Sequence, residues 1–369
     1  QWGSITPGHP EYHVTPGVET TTGPLGQGAA NAVGFALAEA FLASTFNRPG
    51  HEIVDHYTYA LVGDGDLMEG LSGEAASIAG TWGLGKLIML YDSNDITLDG
   101  KASMTFTEDV AARYRAYGWH TLTVADGNDV AALDEALSAA KAVTDQPTLI
   151  VVKTTIGYGS PNKGGTSEAH GSPLGPDEIK LVKEFYGWPQ EDFYIPGAAL
   201  EHLREAVDRG AQQEHAWTQQ LVAYRSAFPE LAETFERALA GQLPAGWDAD
   251  IPRYTADKKV ATRNASGAAL NAIAKHIPTI IGGDAALAGS TKTHIKGAAH
   301  TGPNSTAGRN VRFGVREHAM GAILNGLALH GGIIKPYSAT FLTFSDYMRP
   351  TLRLGALMKI PTLYVFTHD

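Results

Sequence analysis

The apolar positions of this chain change period several times. Residues 29–44 are Ala-rich with apolar side chains at helical spacing, and a Gly/Pro loop, Gly23-Pro-Leu-Gly-Gln-Gly28, precedes them. Residues 57–62 form a short apolar run that stops at Gly63-Asp64-Gly65. The spacing then predicts a helix over 69–81, a buried strand over 87–91, a helix over 130–143 and a buried strand over 148–154. A long loop, 157–176, follows. Strands alternating with helices in this way form a parallel sheet covered by helices.

Residues 177–240 are helical and charged without a strand signal, and 243–254 read as an irregular linker. Alternation resumes with a helix over 266–276, strands over 279–283 and 311–315, a helix over 317–329, a strand over 335–340 and helical signal over 341–358. The expected fold is α/β: two parallel-sheet units flanked by helices, with a helical connector between them. The first unit is placed at 1–226, and the linker with the second unit at 227–369. The chain opens on a polar loop and closes on an apolar strand-like run, 362–366, with no crossover after it. Both ends predict a segment of a longer protein, with both units incomplete.

Composition narrows the function. The chain is 43% hydrophobic and 18% charged, which supplies large cores and excludes wholesale disorder. With 28 Lys and Arg against 39 Asp and Glu, the net charge is −11. Neither nucleic acid nor a membrane is expected as a partner of so acidic a chain. Any phosphate must be held by local Arg, His, backbone N–H groups or a metal. Cysteine is absent, which removes disulfides, Cys–zinc sites and thiol catalysis and fits a reducing, cytoplasmic setting. No apolar run reaches the roughly 18–20 residues of a membrane span, and residues 1–4 show no signal-peptide pattern.

The strongest local chemistry is Gly63-Asp64-Gly65 followed by Asn94. About 30 residues make one βαβ unit, so Asp64 and Asn94 fall at the carboxyl ends of adjacent parallel strands, where ligands sit in open α/β sheets. With the Ile96 carbonyl they make a hard oxygen site suited to magnesium and a diphosphate. A Gly-Asp-Gly turn and a separate Asn turn account for the same residues. Gly80 to Lys86 imitates a phosphate-binding loop, but Leu87 replaces the metal-binding hydroxyl and the order is helix, loop, strand, so a helix end followed by a turn is expected. Glu317, at the mouth of an almost wholly apolar helix, is either a proton-transfer group or a helix-terminus charge. Phe341, Phe344 and Tyr347 share one helix face, as core packing or as a ring-stacking pocket. His51 and His56 are wrongly spaced for a metal pair on one helix face. His9 and His170 lie in Gly/Pro-rich loops, and Arg263 and Ser290 are candidate anion ligands.

Seven motifs occur together and in order: Thr6-Pro-Gly-His-Pro10, Thr22-Gly-Pro-Leu-Gly-Gln-Gly28, Gly63-Asp-Gly-Asp-Leu-Met-Glu-Gly70, Tyr91-Asp-Ser-Asn94, Ile156-Gly-Tyr-Gly-Ser160, His170-Gly-Ser-Pro-Leu174 and Arg316-Glu-His-Ala-Met-Gly321. In this combination the chain resembles the transketolase family over nearly its whole length. The resemblance implies two thiamine diphosphate-binding-type domains in a homodimer with its active site at the subunit interface. It implies that Asp64, Asn94 and the Ile96 carbonyl hold magnesium, with calcium or manganese as substitutes, and that Gly65 contacts the diphosphate. It places Gly23 and Leu25 against the aminopyrimidine, Ile156 against the cofactor, and His170 beside the diphosphate and the reacting centre. Glu317 would hydrogen-bond the aminopyrimidine across the interface, next to Glu69, with Phe341, Phe344 and Tyr347 as the ring pocket. Arg263 and Ser290 would bind the substrate phosphate, and His9 and His368 would line the substrate channel. The implied catalytic set is Glu317, His170, His9 and His368.

The implied reaction is reversible transfer of a two-carbon ketol unit in the pentose phosphate pathway. The donor is a ketose phosphate of the xylulose 5-phosphate type, and the acceptor an aldose phosphate of the ribose 5-phosphate or erythrose 4-phosphate type. The 369-residue segment alone is expected to be inactive. A non-catalytic truncated relative and a dihydroxyacetone synthase are the other readings. One motif departs from the family: Gly-Gly-Ser-Ala-Asp-Leu is here Gly282-Gly-Asp-Ala-Ala-Leu287, with Asp284 in place of Ser and Ala286 in place of Asp.

Overall fold

Two four-stranded parallel sheets, each covered by helices, are joined chiefly through one pair of crossing helices. The computed structural model describes residues 2–257, 259–303 and 305–368. The first unit runs α1 (Gln27–Phe46), β1 (Thr58–Gly63), α2 (Asp64–Met68), α3 (Gly70–Trp82), β2 (Leu87–Ser93), α4 (Val110–Ala116), β3 (His120–Val124), α5 (Val130–Ala142) and β4 (Thr148–Lys153). Three helices follow: α6 (Pro176–Phe185), α7 (Gly197–Ala227) and α8 (Pro229–Leu239). The second unit runs α9 (Thr262–His276), β5 (Ile280–Asp284), α10 (Ala288–Thr291), β6 (Asn310–Arg312), α11 (Glu317–Leu329), β7 (Lys335–Phe341), α12 (Arg349–Leu357) and β8 (Leu363–Thr367).

The strand orders are β1-β2-β4-β3 and β6-β5-β7-β8. The central strands β2 and β4 are apolar on both faces and buried, as helix-covered parallel strands must be. β3 was not expected. His120-Thr-Leu-Thr-Val124 alternates polar and apolar residues because it is an edge strand, and it is only partly covered. Asp109 and Asp129 start α4 and α5 by accepting the backbone N–H of Ala112 at 2.9 Å and of Ala132 at 3.0 Å. Gly80 to Lys86 is a helix end and turn: α3 stops at Gly83, whose φ of 67° suits glycine.

Two expectations in the second unit are corrected. The strand expected at 311–315 spans Asn310–Arg312, because Gly314 at φ 71° breaks it. The helical signal at 341–358 splits into a 3₁₀ segment, Leu342–Met348, and α12; Pro350 sits in the first turn of α12, where its missing N–H costs nothing.

α1 and α11 join the units. A Cβ on Gly34 would lie 2.2 Å from the Ile323 carbonyl oxygen, and one on Gly326 would lie 2.1 Å from that of Asn31. The two backbones touch there, which only glycine on both sides permits. By length and composition α1 could cross a membrane, but it is mostly buried and serves as a core helix. At the far end of α11, His330 Nε2 lies 2.7 Å from His56 Nε2, just before β1.

Candidate cofactor site

β1 and β2 pair in parallel with Gly63 opposite Asp92, so Asp64 and Asn94 leave neighbouring strands at the same sheet edge. Asp64 is 5% exposed. Its Oδ1 accepts from the Tyr91 hydroxyl, whereas its Oδ2 is buried and has no hydrogen-bond partner. Burial pushes the Asp64 carboxyl above its ordinary range, against the pull of Tyr91. Asn94 is pinned at both ends of its amide: Nδ2 donates to Asp92 at 2.8 Å, and Oδ1 accepts the Ile96 N–H at 2.9 Å. The Asp92 carboxylate also accepts from Thr154 on the far side of β2.

The Gly/Pro loop ahead of α1 folds onto this edge. A Cβ on Gly65 would lie 2.9 Å from Leu25 Cδ1. Gly23 has φ 119°, and a Cβ there would meet the His9 ring at 2.7 Å. Asp66, to which the sequence reading gave no role, fixes this arrangement. It accepts the Gly63 N–H at 2.9 Å and the Gly26 N–H at 3.0 Å, clasping the loop to the strand end. The loop carrying Ile156 and His170 is held by Glu178. That carboxylate accepts from the Ser160 hydroxyl and from the Asn162 backbone and amide, both at 2.9 Å, and these donors hold it down at about 2. Ile156 is half-buried, with its carbonyl accepting the Gly165 N–H at 2.8 Å. His170 is half-buried next to Gly171, which packs toward Leu98 beyond the Asn94 turn.

A second group gathers at the carboxyl edge of the other sheet. Glu317 is 8% exposed at the head of α11, and its Oε1 accepts from Thr340 at 3.3 Å. Phe341, Phe344 and Tyr347 climb the 3₁₀ segment with ring centroids 5.8 and 6.1 Å apart. Three residues per turn stacks them in one column. Tyr347 is 63% exposed whereas Phe341 and Phe344 are half-buried, so the column opens to the surface at its Tyr347 end. Arg263 Nη1 donates to His368 Nε2 at 2.6 Å and to the Ser290 carbonyl at 3.4 Å, and the His368 ring lies 5.0 Å from that of Phe341.

The expected residues thus fall into two groups. Among the described residues, no hydrogen bond or ring contact joins His9, Asp64, Asn94 or His170 to Phe341, Phe344 or Tyr347. Within the chain, the carboxylate beside Glu317 is Glu74. Glu74 Oε2 accepts the Ala319 N–H at 3.1 Å, and burial raises its carboxyl, with Glu317 adding to the effect. Glu69 lies exposed at the start of α3. No group of three or more His, Asp or Glu side chains that could hold a metal occurs among the described residues. A hard cation at Asp64 would therefore draw on Asn94, a backbone carbonyl, phosphate and water.

Two parallel sheets, each with candidate residues at its carboxyl edge, define a protein built like thiamine diphosphate enzymes. Family models agree: the transketolase thiamine diphosphate binding domain matches residues 1–244, and the transketolase pyrimidine binding domain matches 258–369. The chain belongs to the transketolase family. It is 59% identical over 371 residues to a transketolase of Geobacillus stearothermophilus, covering 100% of this chain and 55% of that protein. A solved transketolase from Leishmania mexicana superposes with a TM-score of 0.96 at 47% identity, covering 100% of this chain and 55% of that one. A Pichia stipitis transketolase solved with sedoheptulose 7-phosphate gives 0.97 at 46%, covering 100% and 56%. The chain spans about half the length of the relatives it matches.

Proposed function

We propose that this chain is the cofactor-binding part of a transketolase, with residues 1–226 as the diphosphate side and 227–369 as linker and pyrimidine side. The observation that carries the reading is the buried, unpartnered Oδ2 of Asp64 at the strand edge, beside the pinned Asn94. An ionised carboxylate oxygen without a partner is costly in a protein interior, and a divalent cation there offsets that cost. Asp64, Asn94 and the Ile96 carbonyl would hold magnesium, for which calcium or manganese could substitute. Gly65 leaves the approach to the diphosphate free of a Cβ.

Thiamine diphosphate, when bound, supplies the carbon nucleophile and the electron sink for breaking and making a carbon–carbon bond. The protein positions and protonates. Glu317 would hold a proton toward the aminopyrimidine ring nitrogen, and the Phe341–Phe344–Tyr347 column would take the ring's face. Gly23, Leu25 and Ile156 would close on its other side. Arg263 and Ser290 would grip a sugar phosphate, and His9, His170 and His368 would hydrogen-bond its hydroxyls and carbonyl. The two groups stand apart within one chain, which supports a homodimer in which each site takes one group from each subunit. The substrates follow as ketose and aldose phosphates: two five-carbon sugars exchange two carbons to give a three- and a seven-carbon sugar, the latter like the compound in the Pichia structure. A cytoplasmic location fits the lack of cysteine. Neither a dihydroxyacetone synthase nor a non-catalytic paralogue gains support from the relatives.

The test is calorimetric titration of thiamine diphosphate with magnesium, in parent and Asp64→Asn chains. Magnesium-dependent binding in the parent that is lost in the variant is expected; a parent that binds nothing sinks the reading. In the full-length protein, Glu317→Gln is expected to slow ketol transfer by at least about 100-fold, checked by steady-state turnover.

A further inference from the structure

α11 begins at Glu317, and three ties hold its first turn to the first unit. Glu74 accepts the Ala319 N–H at 3.1 Å and Arg316 reaches Ser77 at 3.2 Å, both on α3. The third tie goes elsewhere. Gln27 Nε2 lies 2.8 Å from His318 Nε2, and the Thr351 hydroxyl, at the foot of α12, donates to Gln27 Oε1 at 3.3 Å. Gln27 is 1% exposed and Thr351 0%. With the Gln27 amide nitrogen turned toward His318, Nε2 accepts and the ring is neutral with its proton on Nδ1. Burial, which lowers the affinity of His318 for a second proton, agrees with this.

The place of Gln27 matters more than the bond itself. Gln27 is the first residue of α1, directly after the Gly23–Gly26 loop that carries Gly23 and Leu25. His318 directly follows Glu317. We propose that His318 is a positioning residue: through Gln27 it locks the Glu317 carboxyl in register with the Gly23–Gly26 loop, so that the face this chain gives to one pyrimidine pocket is set together with the face it gives to the other. The α3 ties fix the height of α11, and only the Gln27 tie reaches the loop. Because the two elements serve opposite groups of the site, the contact also links the two sites of a dimer. This rests on the reading of Glu317 and Leu25 as cofactor contacts given above.

The experiment compares the parent with Gln27→Leu, His318→Leu and His318→Gln, the last of which restores an amide that can accept. Long-range ¹H–¹⁵N spectra should show His318 neutral and protonated on Nδ1 in the parent. Thiamine diphosphate affinity with magnesium should fall about tenfold in Gln27→Leu and His318→Leu, the cost of one buried hydrogen bond, and His318→Gln should recover most of it. The Glu317 carboxyl ¹³C resonance, assigned by its loss in Glu317→Gln, should move in both Leu variants and return in His318→Gln. A charged His318 at neutral pH, or Leu variants that melt lower with unchanged affinity and an unmoved Glu317 resonance, would overturn the proposal. If the parent binds no thiamine diphosphate, the functional reading fails, and the Glu317 resonance alone decides the positioning role.

Discussion

The two groups of site residues are built on opposite principles. Around Asp64 the polar atoms are nearly all spoken for: Asp66 clasps the loop, Asp92 and the Ile96 N–H pin Asn94, and Tyr91 holds one oxygen of Asp64. A single buried oxygen is left over. Around Phe341 the surface is made by three rings in a column along a 3₁₀ turn, half-buried at Phe341 and Phe344 and exposed at Tyr347. A phosphate and its cation need directed donors and charge, whereas a flat heterocycle needs area. One edge is preorganised electrostatically, the other by shape.

The most severe way to break this contrast is Asp64→Asn. Beyond abolishing magnesium-dependent binding, it should have the opposite sign on the metal-free fold. Burial raises the Asp64 carboxyl, so the folded state holds a proton that the unfolded state has released; stability then declines as pH climbs from the ordinary carboxylate range through the raised value. Ionising this buried carboxyl therefore costs the metal-free fold stability. Asp64→Asn should therefore raise the melting temperature of the metal-free chain, as read by calorimetry, and flatten its pH dependence over that window.

Next in size is the aromatic column. Phe344→Ala should weaken thiamine diphosphate binding by about tenfold and lower the melting temperature less than truncating a fully buried ring would, because Phe344 is only half-buried. If melting fell as far as for a fully buried ring, the column would be core and the contrast would fail. A control away from both edges is the His56–His330 pair. His330 is held down to about 4, chiefly by burial and then by His56. Its neutral form is favoured on folding, so stability present above about pH 6.5 is lost as pH falls toward 4. His330→Gln should remove much of that acid sensitivity, measured by urea unfolding between pH 7 and 4.5. Smallest is Ala286, at φ 63°. Ala286→Gly should relieve about 1 kcal/mol of left-handed strain, seen as a melting rise of a few degrees. Ala286→Asp, restoring the family residue, should tighten coenzyme binding.

Much of this was written in the order of residues, and what was missed has a physical pattern. The bounds of α11 follow from an almost wholly apolar run behind a glutamate, and the Asp64–Asn94 pairing follows from the length of a βαβ unit. β3 escaped because an edge strand is allowed polar residues. The three-residue spacing of the rings gave their common face, but not that the turn would be 3₁₀ with Tyr347 exposed at its end. Asp66, Glu74, Gln27 and His318 escaped for a different reason. Each acts on a backbone or side chain that docking alone brings near, across 40 residues for Gly26 and Asp66 and 291 for Gln27 and His318. No local period encodes such a partnership.

The crossing of Gly34 and Gly326 sets a condition on how this protein can vary. Each glycine faces the other helix's main chain, which has nothing smaller to offer in exchange. A methyl gained on one side cannot be forgiven by trimming the other, so the usual compensating pair of changes does not exist here. The two positions are tied to the same residue independently, and the close approach of α1 to α11 rests on the absence of two carbon atoms.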